Sequence, residues 1–225
     1  MLLVREIYPA VMGESRHSGW PCALVRLSGC HRRCVYCDTT YAFQGGEKMS
    51  VADVMGQVRA LGHGMLMVTG GEPLLQREAI DLMQAGLEAD LAVVLETSGT
   101  VGTKVALEEV PTGVCRVVDI KTPASGIATD QVDWDGLKAL DEGDEIKIVI
   151  SDHRDYAWAR ELVREGLNVD GRLRRLPRGV PVTLSPGWGS LELRDLAGWI
   201  LADKLPVRFQ VQLHKVVWPE AEGGV

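Results

Sequence analysis

Seven short apolar runs recur along the chain, at residues 23–27, 65–69, 92–96, 116–120, 145–150, 180–184 and 207–213. Most are followed at once by a cluster of Gly, Pro, Ser or Thr. The runs are rich in Val, Ile and Leu and too continuously apolar for a strand with one wet face, so they read as strands of a parallel sheet covered by helices. Between them, Ser50 is a good N-cap for a helix whose apolar stripe is Val51, Val54, Val58 and Leu61. Further helices are expected over residues 76–87, 135–140, 155–166 and 191–203. The βα alternation, repeated about six times, predicts an α/β fold with either a barrel-like or a doubly wound sheet. With 225 residues, 46% of them apolar, and no linker, repeat or low-complexity tract, residues 1–225 read as a single domain.

The turn clusters matter because loops at the C-terminal ends of parallel strands are where such folds build their sites. They are Ser28-Gly29, Gly70-Gly71-Glu72-Pro73, Ser98-Gly99 and the stretches 123–126 and 185–189. A formal charge of -7 provides no global basic field for nucleic acid or an anionic membrane surface, so neither is an expected partner. No apolar run approaches the ~18 residues of a membrane span, and the first residues lack the basic region and long apolar stretch of a signal peptide. A cytoplasmic location is expected. The basic stretch from Arg172 to Arg178 reads as a solvated loop.

Five cysteines are present, and three of them, Cys30, Cys34 and Cys37, stand within eight residues. An odd number so crowded suits metal chemistry in a reducing compartment better than disulfides. Structural zinc usually takes four ligands in two closely spaced pairs. Cys22 is separated from Cys30 by an expected strand that spans roughly 16 Å at ~3.3 Å per residue. His31 could complete a Cys3His set on spacing alone, so a zinc-binding or electron-transfer module stays open at this point. A four-iron cluster held by three thiolates would instead leave one iron open to a further ligand.

The C-x3-C-x2-C spacing after an apolar run, followed about thirty residues later by Gly70-Gly71-Glu72-Pro73, resembles the radical S-adenosylmethionine (SAM) superfamily. The resemblance implies a reduced, incomplete (βα)6-type TIM-like barrel, with Cys30, Cys34 and Cys37 on a 4Fe-4S cluster and SAM on the fourth iron. Gly71 and Glu72 would receive the SAM ammonium. Ser98, Gly99, Lys121 and Ser125, at the next two strand ends, would serve its ribose and carboxylate, and Tyr36 and Asp38 complete the implied cofactor contacts.

The flanks narrow the resemblance. Glu6-Ile-Tyr8, Gly13-Glu14, Gly19-Trp20-Pro21, Arg26-Leu27-Ser28-Gly29-Cys30, Cys37-Asp38-Thr39 and residues 212–218, which resemble the family's last strand and would put His214 on it, look like the 7-carboxy-7-deazaguanine synthase family, across nearly the whole chain. What this implies is a lyase that turns 6-carboxy-5,6,7,8-tetrahydropterin into 7-carboxy-7-deazaguanine with loss of ammonia, in queuosine biosynthesis. Mg2+ bound by Thr39, a homodimer, and a flavodoxin- or ferredoxin-type reductant are implied too. Met12, Gly13, Glu14, Arg26, Thr97, His214 and Val225 would contact substrate, and no protein side chain is carried over as a catalytic group. The chemistry of the residues agrees: a guanidinium suits a carboxylate, and a carboxylate accepts from ring N–H donors. Met12-Gly13-Glu14-Ser15 departs from that family's usual Gln-Gly-Glu-Gly. A glycyl-radical activase, which shares the cysteine spacing but must admit a protein backbone, is the alternative enzyme.

Overall fold

The computed structural model describes residues 1–220. The chain opens with a strand the apolar pattern does not announce, Leu2–Val11 (β1), and continues through Pro21–Leu27 (β2), Glu47–Met49 (β3) and helix Val51–Leu61 (α1). Next come Met65–Gly70 (β4), Glu78–Glu88 (α2), Ala92–Thr97 (β5), Cys115–Asp119 (β6), Glu145–Ile150 (β7) and His153–Arg164 (α3). The last third holds Leu167–Val169 (β8), Arg172–Arg174 (β9), Val182–Pro186 (β10), Leu193–Asp203 (α4), Arg208–Phe209 (β11) and Leu213–Val217 (α5). Helix α1 starts where expected: Ser50 Oγ accepts from the Asp53 N–H at 3.1 Å, Asp53 returns a bond to the Ser50 backbone, and Gly62 ends the helix in the left-handed region.

Nine strands form one sheet in the order β11-β10-β7-β6-β5-β4-β2-β1-β3. From β2 to β11 they run parallel and stand in the order in which the chain makes them. A doubly wound sheet reverses its strand order at a switch point. This one does not, so the barrel-like alternative holds. β1 pairs antiparallel with both β2 and β3 and closes one edge.

Strand alternation sorts the side chains to two faces. Ala23, Val25 and Leu27 pack outward with Val54, Val58, Leu82 and Met83 of the helices. Cys22 and Leu24 face inward, with Met12, Met65, Met67, Val94, Val117 and Cys115, and form an apolar floor. The two cysteines outside the triad are therefore packing residues, their thiols pushed up by burial to about 12 for Cys22 and about 11 for Cys115. Residues 12–20 cross from β1 to the far wall. There Ser15 N–H donates to Gln210 Oε1 at 2.7 Å, Leu213 N–H to Gly13 O at 2.8 Å, and Arg16 N–H to Glu145 Oε2 at 2.7 Å. The open side of the sheet is bridged by this crossing.

The structure departs from expectation in four places. The run 207–213 pairs only through Arg208–Phe209 before turning to meet residues 13–15, so His214 lies on helix α5 and not on a last strand. The stretch 135–140 is a short 3-10 turn, Gly136–Ala139. Arg172–Arg174 is strand β9, paired to β8 across Asp170-Gly171, whose φ values of +50° and +74° suit a tight hairpin turn, so the basic stretch is only partly loop. β1 escaped notice because Arg5, Glu6 and Pro9 interrupt its apolar residues. Among the described residues no helix is long and apolar enough to cross a membrane.

Candidate active site

The strand ends bring the cysteine segment and the Gly-Gly-Glu-Pro turn together. Gly71 N–H donates to Leu27 O at 3.1 Å and Glu72 N–H to Gly29 O at 2.8 Å. A Cβ at Gly70 would strike the Leu27 carbonyl, and one at Gly71 the Gly29 carbonyl. The paired glycines are thus explained by backbone meeting backbone. Val35 N–H reaches Ser125 O at 2.9 Å, and Arg32 bonds Thr100 Oγ1 at 3.1 Å and Gln131 Oε1 at 2.9 Å, which ties the cysteine segment to the loops after β5 and β6.

Cys30, Cys34 and Cys37 line one cavity with Tyr36, Gly71, Ser98 and Lys121. Burial raises the Cys30 and Cys34 thiols. Among the described residues no group of three or more Cys, His, Asp or Glu side chains is arranged to hold a single metal ion. Three thiols lining one cavity can each serve a different iron of a multi-iron cluster. Lys121 is paired with Asp119 at 2.9 Å; burial alone would lower its pKa, but Asp119 leads the groups that keep it raised and the ammonium charged.

Three expected cofactor contacts are reassigned. The Glu72 carboxylate is fully buried and already accepts four bonds: Leu74 N–H at 3.0 Å and Thr97 Oγ1 at 2.8 Å on one oxygen, Ser98 N–H at 2.9 Å and Ser98 Oγ at 2.6 Å on the other. It ties the ends of β4 and β5 together, and Gly70 and Gly71 rather than its carboxylate line the cavity. Ser125 is also fully buried, its hydroxyl donating to Thr122 O at 2.6 Å, so it supports the cysteine segment through its carbonyl. Gly99 shapes the turn after β5, at φ +58° with its carbonyl accepting from Asp133 N–H at 2.8 Å.

The other wall of the cavity carries the expected substrate residues Gly13, Glu14, Arg26 and His214, together with Thr39 and Asp38, whereas Thr97 stands on β5 with its hydroxyl donated to Glu72. Arg26 is oriented by Glu6, whose Oε1 accepts from Nε at 2.6 Å, and by Tyr8, whose hydroxyl accepts from Nη2 at 3.2 Å. Its Nη1 has no protein partner among the described residues. Glu14 Oε2 holds Lys147 Nζ at 2.7 Å, while Oε1 is buried with no partner. Any side chain at Gly13 would overlap the His214 imidazole, and burial lowers the His214 pKa and favours the neutral ring. Thr39 Oγ1 donates to Asp38 Oδ1 at 2.8 Å, so its lone pairs remain for a cation. Burial would raise Asp38, but the Thr39 hydroxyl and Lys215 outweigh it and keep the carboxyl low. Met12, expected against the substrate, is 1% exposed in the apolar floor, its backbone bonded to Trp20 and Gly19. Val225 lies outside the described residues.

Comparison with known proteins gives the same picture. A profile of the radical SAM superfamily matches residues 24–120. The 7-carboxy-7-deazaguanine synthase of Chlorobaculum tepidum is 40% identical over 99% of this chain and 97% of its own length. That of Koribacter versatilis is 41% identical over 98% and 99%. The chain belongs to the 7-carboxy-7-deazaguanine synthase family. Its fold resembles the crystal structure of QueE from Escherichia coli, with a TM-score of 0.70 at 20% identity over 93% of each chain. It also resembles Streptococcus suis SuiB bound to S-adenosylmethionine, with a TM-score of 0.55 at 14% identity, covering 85% of this chain and 47% of that one.

Membership in the 7-carboxy-7-deazaguanine synthase family brings a 4Fe-4S cluster and SAM, which the cysteine-lined cavity accommodates. The family's usual Gly at position 15 also acquires a reason. Ser15 is held at φ +71°, where glycine carries no steric cost, by the bonds to Gln210. Glu96, Asp119, Lys147 and Lys215 also line the cavity, outside the residues expected from the sequence. Lys147 had a readable signal, since Glu145-Ile146-Lys147 puts two charges at alternate positions of a strand buried throughout.

Proposed function

We propose that this protein is a radical SAM lyase that converts 6-carboxy-5,6,7,8-tetrahydropterin to 7-carboxy-7-deazaguanine with loss of ammonia, in the formation of queuosine and related 7-deazapurines. The observation that carries the reading is one cavity holding both an Arg26 guanidinium with a free edge and a Glu14 carboxylate with a free oxygen, beside the cysteine segment. Arg26 would grip the pterin carboxylate, and Glu14 Oε1 would accept from the 2-amino and ring N–H donors. The neutral His214 ring stands over Gly13 to bound the substrate. The chemistry supplied by the bound cluster and SAM is one-electron cleavage of SAM and removal of a hydrogen atom from the substrate.

Thr39 would give Mg2+ one oxygen, with further ligands from the pterin carboxylate and water, as that ion prefers. We take residues 1–225 as one cytoplasmic domain, working as a homodimer and receiving electrons from a flavodoxin- or ferredoxin-type protein. The test is anaerobic turnover of the reconstituted protein with SAM, a reductant and carboxytetrahydropterin. Deazapurine with an equivalent of ammonia is the expected result, and an intact cluster without product would refute the reading.

A further inference from the structure

Four carboxyls, Glu14, Asp38, Glu96 and Asp119, face this cavity with five cations, Arg26, Arg32, Lys121, Lys147 and Lys215, and Lys215 lies 3.7 Å from Asp38. The ammonium groups are committed: Lys147 lies 2.7 Å from Glu14 and 3.5 Å from Asp119, and Lys121 lies 2.9 Å from Asp119. Glu96 has no hydrogen-bond or ion-pair partner among the described residues. It lies half-buried on the inner face of β5, lining the compartments of both Arg26 and the cysteines. The charged groups facing it are Arg26 from β2, Glu14 from the crossing segment, Asp119 from β6 and Lys147 from β7, and Arg26 is already neutralised by Glu6. Glu14, Asp38 and Asp119 each have a cationic partner and Glu96 has none, so Glu96 is the carboxyl here that most readily keeps its proton. Burial, then the Glu14 and Asp119 charges, raise Glu96 against the opposing pull of Lys147.

We propose that Glu96 is a catalytic acid and base for the ammonia-releasing step, a role that rests on the reaction proposed above. When the ring-contracted intermediate breaks its C–N bond, the electron pair leaves with nitrogen, and the Glu96 carboxyl gives that amine the proton that makes it ammonia. The resulting carboxylate removes the proton from the neighbouring ring carbon as the C=C bond forms. Glu96 ends protonated, and no electrons are gained or lost overall. A carboxyl kept neutral by its surroundings suits this task near neutral pH.

The test compares wild type with Glu96→Gln and Glu96→Asp. Infrared difference spectra between wild type and Glu96→Gln at neutral pH should show a protonated-carboxyl band belonging to Glu96. In the reconstituted proteins, Glu96→Gln should bind cluster, SAM and carboxypterin normally but form deazapurine about 100-fold slower or worse. Glu96→Asp should recover part of that rate with a shifted pH profile. Only carboxylate bands in the infrared, or a Glu96→Gln loss due wholly to weaker pterin binding, overturns the proposal. Wild type that binds cluster and SAM yet makes no deazapurine refutes the reaction itself, a failure seen without any variant, and this role falls with it.

Discussion

The two walls of the cavity are built on opposite plans. At the ends of β4 and β5, beside the cysteine segment, polar atoms are consumed by one another: the Glu72 carboxylate takes four bonds and the Gly71 N–H meets Leu27 O. On the wall made by Arg26, residues 13–15, β6, β7 and α5, polar atoms are left open, with Glu14 Oε1 and Asp119 Oδ1 buried and unpartnered. A buried group without a partner is costly unless a ligand supplies one. The contrast teaches a division of labour, in which the first wall holds a cofactor platform rigid and the second recognises the substrate.

The largest effects should come from breaking the first wall. Cys30→Ala, Cys34→Ala and Cys37→Ala each abolish cluster assembly, whereas Cys22→Ala and Cys115→Ala keep it, as read by iron and sulfide content after anaerobic reconstitution. Next is Glu72→Ala, which strands the buried donors of Leu74, Thr97 and Ser98. At ~1–3 kcal/mol for each unsatisfied group, a loss of about 3 kcal/mol or more is expected in denaturant unfolding. An unchanged midpoint would mean that Glu72 does not brace these strand ends.

The second wall should respond in affinity more than in stability. Arg26→Ala removes a charged grip worth ~1.5–3 kcal/mol, so carboxypterin binding should weaken by about 10–100-fold in calorimetry while the cluster is retained. The smallest effect lies where the crossing segment turns. Ser15→Gly relieves ~1–2 kcal/mol of left-handed strain and adds ~0.5–1 kcal/mol of chain entropy cost, for a net gain of about 0.5–1 kcal/mol. A thermal melt checks it, and a destabilised variant would show that the Ser15 hydroxyl, which accepts from His17 N–H at 3.1 Å, matters more than the strain.

The same contrast explains what could be read from the chain. The first wall is legible because local motifs make it: each apolar run ends in its own turn, and three cysteines stand within eight residues. Even there the task of Glu72 is not, because its partners Thr97 and Ser98 come from the next strand. Lys147 and Glu14, 133 residues apart, meet only through the barrel's closure. His214 was placed on a strand because β-like residues precede it, yet edge pairing stops at Phe209 once the chain turns to Gly13.

The division of labour is tested most directly by measuring both affinities on one variant, reconstituted Glu14→Gln, by calorimetry under anaerobic conditions. The loss of one charge-assisted acceptor should weaken carboxypterin binding by about tenfold or more, while SAM binding stays at the wild-type level. Equal losses for the two ligands would contradict the account, because the walls would then act as one.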